Sequence, residues 1–73
     1  MNRNEIRKQT CLIIRKKGEF LVSTILCSTN LRWSTSPYDA WRTRDRMAAE
    51  LVAWATGGEL VLFNPVVNQM KVI

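Results

Sequence analysis

The sequence predicts a small α+β domain in which an antiparallel sheet of three or four strands packs against one helix. Three observations predict this class: two β-rich runs around a charged turn in residues 10–27, one helical segment at 44–56, and β-rich runs at 59–63 and 70–73. Because 73 residues cannot bury two cores, we expect a single domain over residues 1–73. The polar residues 1–9 are expected to form a flexible arm.

Residues 10–27 are predicted to form a β-hairpin. A two-residue turn at Lys17-Gly18, with glycine supplying a positive φ, would place Lys16 opposite Glu19. Both faces of this hairpin are then apolar. One face carries Cys11, Ile13, Phe20, Val22 and Leu26, and the other carries Leu12, Ile14, Leu21, Ile25 and Cys27. Such a hairpin either lies at the centre of a sheet covered on both sides or presents an apolar face to a partner.

Residues 28–42 lack a sustained strand or helix period and are predicted to form a long ordered loop. Within the loop, Ser36 is placed to cap a short helical turn, with Pro37 at its first position and Asp39 at its third. Loops of this length in small domains are more often functional than accidental. We therefore expect a binding surface here.

The helix is predicted over residues 44–56, with Thr43 as its cap, Asp45 in its first turn and Gly57-Gly58 at its end. Large apolar side chains at i, i+4 and i+7 are expected to pack on the sheet: Met47, Leu51 and Trp54. The opposite face is expected to meet solvent: Arg46, Ala49, Glu50 and Ala53. Beyond the helix, residues 59–63 form a strand, Asn64-Pro65 marks a turn, and residues 70–73 return as an edge strand.

Several classes of chemistry are disfavoured by composition. The chain has no histidine, and its two cysteines, Cys11 and Cys27, lack zinc-site spacing and are expected to be free thiols in apolar surroundings. No phosphate-binding glycine loop precedes a helix. We predict no catalytic, cofactor or metal residues and no enzyme activity. Without an apolar run of ~20 residues or a signal-peptide core, the chain is expected to be soluble and cytoplasmic, with no membrane contact.

Charge is unevenly distributed along the chain. The net charge is +5, and residues 1–36 carry all of the excess, with seven Lys and Arg against two Asp and Glu. The hairpin tip holds three consecutive cations, Arg15, Lys16 and Lys17, which are suited to contacting phosphates. A basic tip is equally typical of a solubilising sheet edge, and both interpretations stay open.

Cations and aromatic rings alternate in and after the loop. The candidate partner-binding residues are Arg32, Trp33, Tyr38, Arg42 and Arg44. These residue types serve both as stacking platforms for single-stranded nucleic acid and as hot spots of protein interfaces. A structural alternative is that Trp33 and Trp41 fold back to cover the second face of the sheet.

The stretch over residues 28–41, the helix and the closing Leu62-Phe63-Asn64-Pro65 resemble a type of small phage or prophage accessory protein, over about residues 10–73. The resemblance implies a compact protein in the host cytoplasm that binds and blocks or redirects a host or defence complex, as anti-CRISPR inhibitors do. It assigns no role to any residue. Mimicry of DNA by an acidic surface does not fit the positive net charge.

Three functional hypotheses follow. The first is a non-enzymatic accessory protein that binds a protein or nucleoprotein complex stoichiometrically through the aromatic loop and the second sheet face. The alternative is direct nucleic-acid binding through the basic hairpin tip and the loop. The third is self-association as a homodimer that buries the second sheet face.

Overall fold

The computed structural model describes residues 9–22 and 31–73, which form an antiparallel sheet with one α-helix on one face. The five strands lie in the order β3-β2-β1-β4-β5. Their bounds are Cys11–Lys16 (β1), Glu19–Leu21 (β2), Trp33–Ser34 (β3), Glu59–Asn64 (β4) and Gln69–Val72 (β5). A 3-10 helix, Pro37–Asp39, and the helix α1, Arg46–Thr56, separate β3 from β4. The α+β class is confirmed, with one strand more than expected. Residues 1–8 of the expected arm and residues 23–27 of the expected hairpin lie outside the described residues.

The hairpin has the predicted turn and register. Lys16 pairs with Glu19, and Arg15 pairs with Phe20. Lys17 has a φ of 53° and Gly18 a φ of 79°, both in the left-handed region that a tight two-residue hairpin turn requires. On its other side β1 pairs with β4 along five residues, so β1 occupies the centre of the sheet.

Both faces of the central strands are apolar, as predicted for the described part of the hairpin. The face away from α1, here called the distal face, carries one buried cluster: Cys11, Ile13, Phe20, Ala40, Val61 and Phe63. The face that meets α1, here called the helix face, carries another: Ile14, Leu21, Val52 and Ala53. On the distal face, Ala40 of the loop completes the cluster and the Tyr38 ring lies edge-on to Phe63. Loop residues therefore help to cover the second sheet face, whose central side chains are buried within the chain.

Helix α1 begins and ends through local capping interactions. Asp45, rather than Thr43, is the N-cap, and its carboxylate accepts hydrogen bonds from the backbone amides of Met47 and Ala48. Thr43 lies two residues before this N-cap, and its hydroxyl accepts a hydrogen bond from the Asp45 amide. Gly57 ends the helix in the left-handed conformation, with a φ of 71°. The predicted helix is confirmed, with its start moved to Arg46.

The predicted orientation of α1 is wrong. Met47, Leu51 and Trp54 are 74%, 63% and 85% exposed. The residues buried against the sheet are small or β-branched: Ala49, Val52, Ala53 and Thr56. The helix face of the sheet is already bulky, because Trp33 and Trp41 pack beside Ile14 there. Small side chains let the α1 backbone approach this crowded surface closely, and the tryptophans of the loop take the volume that the sequence assigned to Leu51 and Trp54.

We expect Val52→Ala to lower the free energy of unfolding by about 2 kcal/mol, because it removes buried methyl groups from the helix–sheet contact. Leu51→Ala, one residue away, should change it by no more than about 0.5 kcal/mol, because Leu51 is mostly exposed. Urea denaturation followed by circular dichroism measures both. The reverse order of effects would contradict the observed orientation of α1.

Candidate interaction surface

The loop preceding α1 is ordered by its own polar contacts. The Ser36 hydroxyl accepts from the Tyr38 amide, which confirms the predicted capped turn as the 3-10 helix. The Ser34 hydroxyl donates to Asp39 at 3.1 Å. Leu12 and Thr43 exchange two backbone hydrogen bonds, so the end of the loop is fastened directly to β1. Residues 31–43 therefore hold their side chains in defined positions.

Of the candidate partner-binding residues, Tyr38 and Arg42 are in contact with each other. The Arg42 guanidinium donates to the Tyr38 carbonyl at 3.0 Å and lies 6.0 Å from the centre of the Phe63 ring. The Tyr38 ring centre is 5.5 Å from that of Phe63, and the Tyr38 hydroxyl donates to the Pro65 carbonyl. Both side chains are exposed on one side and cover Phe63 on the other. Part of each side chain is thus used to cover the distal face and is not available to a partner.

The tryptophans of the loop are structural. Trp33 pairs with Leu21 across β3 and β2, and the Trp41 amide donates to the Leu21 carbonyl. Both indoles are half-buried against the helix-face cluster. The alternative that Trp33 and Trp41 fold back onto the sheet is confirmed, but they pack on the helix face and not on the second face for which it was made. Arg32 is exposed beside Trp33, while Arg44 is exposed on the approach to α1.

The basic hairpin tip is largely engaged within the fold. Arg15 forms an ion pair with Glu59 at 2.8 Å. The Lys16 ammonium donates to the Thr56 carbonyl at 3.0 Å, in the last turn of α1. Within residues 9–22 and 31–73, Lys17 makes no ion pair or side-chain hydrogen bond. Arg15 thus links β1 to β4, and Lys16 links β1 to α1, so both side chains are less available to contact phosphates.

The outer face of α1, defined as Met47, Leu51 and Trp54, is a contiguous apolar surface. The three side chains follow one helix stripe and point away from the sheet. Beside the stripe, Arg46 and Glu50 form an i,i+4 ion pair at 2.9 Å, which contributes only tenths of a kcal/mol. The i, i+4 and i+7 spacing in the sequence indicates this apolar helix face, but spacing alone does not distinguish a face that packs on the sheet from one that is exposed.

Cys11 is a free, buried thiol, as expected for this cysteine, and its Sγ lies 3.5 Å from the Phe63 carbonyl. Burial raises the pKa of the Cys11 thiol, an effect that the positive charges of Arg42 and Arg44 partly oppose. The neutral thiol is therefore favoured in the folded state, and this site does not supply an activated nucleophile. Cys27 lies outside the described residues.

We expect Cys11 to react with iodoacetamide about tenfold or more slowly in the folded protein than in concentrated urea, near pH 8, where the unfolded thiol is partly ionised. A Cys27→Ser background isolates the Cys11 signal, which mass spectrometry quantifies. The stabilisation linked to the raised pKa is complete below the ordinary thiol pKa and is lost as the pH rises through the folded value. Equal rates in both states would show that the thiol is accessible and ionised.

Across the described ranges, no group of three or more His, Cys, Asp or Glu side chains is placed to hold a metal ion. No helix in that part of the chain is long and apolar enough to cross a membrane. No protein-family model, curated protein or solved structure matches this chain.

Proposed function

We propose that this chain is a non-enzymatic interaction protein that binds a partner protein, alone or within a nucleoprotein complex, stoichiometrically through the outer face of α1. One observation carries the proposal: Met47, Leu51 and Trp54 lie on one helix stripe and are 74%, 63% and 85% exposed. Isolated exposed apolar residues are ordinary, whereas a contiguous apolar stripe of large side chains marks an interaction site.

The spacing of these residues suits a helix-in-groove interaction. In that mode, an amphipathic helix inserts anchors at i, i+4 and i+7 into an apolar groove of its partner. The helix is also held rigidly, because Asp45 and Gly57 cap its ends and Val52 anchors its opposite face. Little conformational entropy is then lost on binding. Trp54 is the expected hot spot, since tryptophan dominates such interfaces.

The area of the outer face favours a partner that wraps around α1 over a second copy that meets it face to face. Three large side chains expose on the order of 400 Å² together, given 150–250 Å² for a large aromatic ring, whereas a standard interface takes ~800 Å² from each partner. Two copies that meet only through this stripe would associate weakly. A homodimer stays a prediction, and sedimentation at micromolar concentration tests it.

We expect Trp54→Ala to weaken partner binding at least about 30-fold, the effect of losing a hot spot of ~2 kcal/mol. A photo-crosslinking amino acid at position 55, an exposed alanine beside Trp54, captures the partner in host cytoplasm, and affinity is then measured with the purified partner. Because of the sequence resemblance, a host or defence complex is the first partner class to test. Val67→Ala, at an exposed valine away from α1, is the matched control and should retain affinity.

If the chain instead binds nucleic acid directly, the salt dependence of binding and the effects of the variants should differ. Binding through Lys16 and Lys17 would weaken steeply with salt, and replacing both by alanine would flatten that dependence. A helix-in-groove contact would change little with salt. Retained affinity in Trp54→Ala and Leu51→Ala, combined with loss in the lysine variant, would overturn the proposed surface and favour the nucleic-acid alternative.

A further inference from the structure

A groove opens on the helix face of the sheet, beside the start of α1. It encloses about 620 Å³, which lies within the size range of small-molecule sites. Leu12 and Leu62 of the two central strands form its floor, together with Ile73 after β5. Helix α1 covers the other end of these strands, above Ile14, and so leaves Leu62 and Ile73 accessible, while Leu12 is buried at the base of the groove.

The groove is walled by cations. Arg44 and Arg46 stand on the α1 side, and Lys71 of β5 stands on the opposite side. No carboxylate side chain is among the described residues that line it. The two nearest acids along the chain are both engaged: Asp45 caps α1, and Glu50 pairs with the Nε of Arg46. Neither Arg44 nor Lys71 forms an ion pair with any acid of the described residues.

We propose that this groove binds an anionic amphiphile, a small molecule with an aliphatic chain and a phosphate or carboxylate head. The aliphatic floor accepts the chain, and the arginines match the geometry of an oxyanion head, with Lys71 adding a point charge across the groove. The described lining contains no aromatic ring, so it offers no stacking surface to a nucleobase. The site is distinct from the outer face of α1, because neither Leu51 nor Trp54 lines it.

The test is a titration of the full-length, ¹⁵N-labelled chain with decyl phosphate below its critical micelle concentration, followed by amide chemical shifts. We expect saturable shifts at Leu12, Leu62 and Lys71. Decanoate, a second anionic amphiphile, should bind the same residues. Three controls should each bind at least tenfold more weakly than decyl phosphate. Decanol lacks the anionic head, inorganic phosphate lacks the alkyl chain, and adenosine monophosphate carries a nucleoside in place of that chain.

Paired variants test the charge contribution. Arg44→Gln with Lys71→Gln should weaken decyl phosphate at least tenfold. Arg32→Gln with Lys17→Gln removes the same charge elsewhere and should leave affinity unchanged. Equal affinity for decanol or phosphate, tighter binding of adenosine monophosphate, or full affinity in the groove variant would overturn the proposal. Shifts centred on the outer face of α1 would also overturn it, by placing the alkyl chain there.

Discussion

Phe63→Ala is expected to lower the free energy of unfolding by about 3–5 kcal/mol, which approaches the entire stability of a domain of this size. Phe63 is fully buried on the distal face, where it pairs with Cys11 across the two central strands. Its ring is also the surface on which Tyr38 and Arg42 lie. Alanine would remove the ring and leave the loop covering a cavity.

Urea denaturation monitored by circular dichroism measures this loss, and two further variants give it a scale. Phe63→Leu keeps most of the volume and should cost less than about 2 kcal/mol. Leu62→Ala, at the adjacent residue that faces the opposite side and is 37% exposed, should cost less than Phe63→Ala. A loss below about 1 kcal/mol in Phe63→Ala would mean that the distal face does not form a packed core.

Gly58→Ala is expected to cost about 2–3 kcal/mol by overpacking. A Cβ at this position would lie 2.5 Å from Cγ2 of Ile14 and 3.2 Å from the carbonyl oxygen of Arg15. Ile14 is a residue of β1 and is fully buried beneath α1, so its side chain cannot easily move aside. The added methyl group must push the start of β4 away from the central strand.

Gly18→Ala separates this steric effect from backbone strain. Gly18 has a φ of 79°, and a Cβ there would meet nothing within 4 Å, so its cost of about 1 kcal/mol comes from conformation alone. The same denaturation measurements rank the two variants. If Gly58→Ala were no more destabilising than Gly18→Ala, the close approach of Gly58 to Ile14 would be absent in solution.

Local chemistry in the sequence was sufficient to predict most of the elements, but not the N-cap of α1 or strand β3. Lys17-Gly18 specifies the hairpin turn, Gly57 specifies the end of α1, and Ser36 with Pro37 specifies the 3-10 helix, because each depends on a few adjacent residues. Strand β3 was missed because its two residues carry no periodic pattern and pair only through the neighbouring edge of β2.

The orientation of α1 was not predictable from its own pattern, since it depends on what the sheet presents. Trp33 and Trp41 come from a segment with no regular period, and their packing beside Ile14 decides that only small residues of α1 fit. The expected exposure of the tryptophans is therefore reversed. Trp33, expected at the binding site, is half-buried, whereas Trp54, expected in the core, is exposed. The groove was not predictable from the sequence, because Arg44 and Lys71 come to opposite sides of one groove only in the folded chain.

The pairing of β1 with β4 has a consequence for synthesis of the chain in the cell. The central pair of the sheet joins residues 11–15 to residues 59–63, so the most buried contacts close the longest loop in the described fold. A nascent chain cannot complete this pair until residue 63 has left the ribosome. Before that point the apolar faces of β1 have no β4 to pair with, and chaperones or aggregation compete for them. Folding must therefore follow translation of β4 rather than proceed stepwise from the N-terminus.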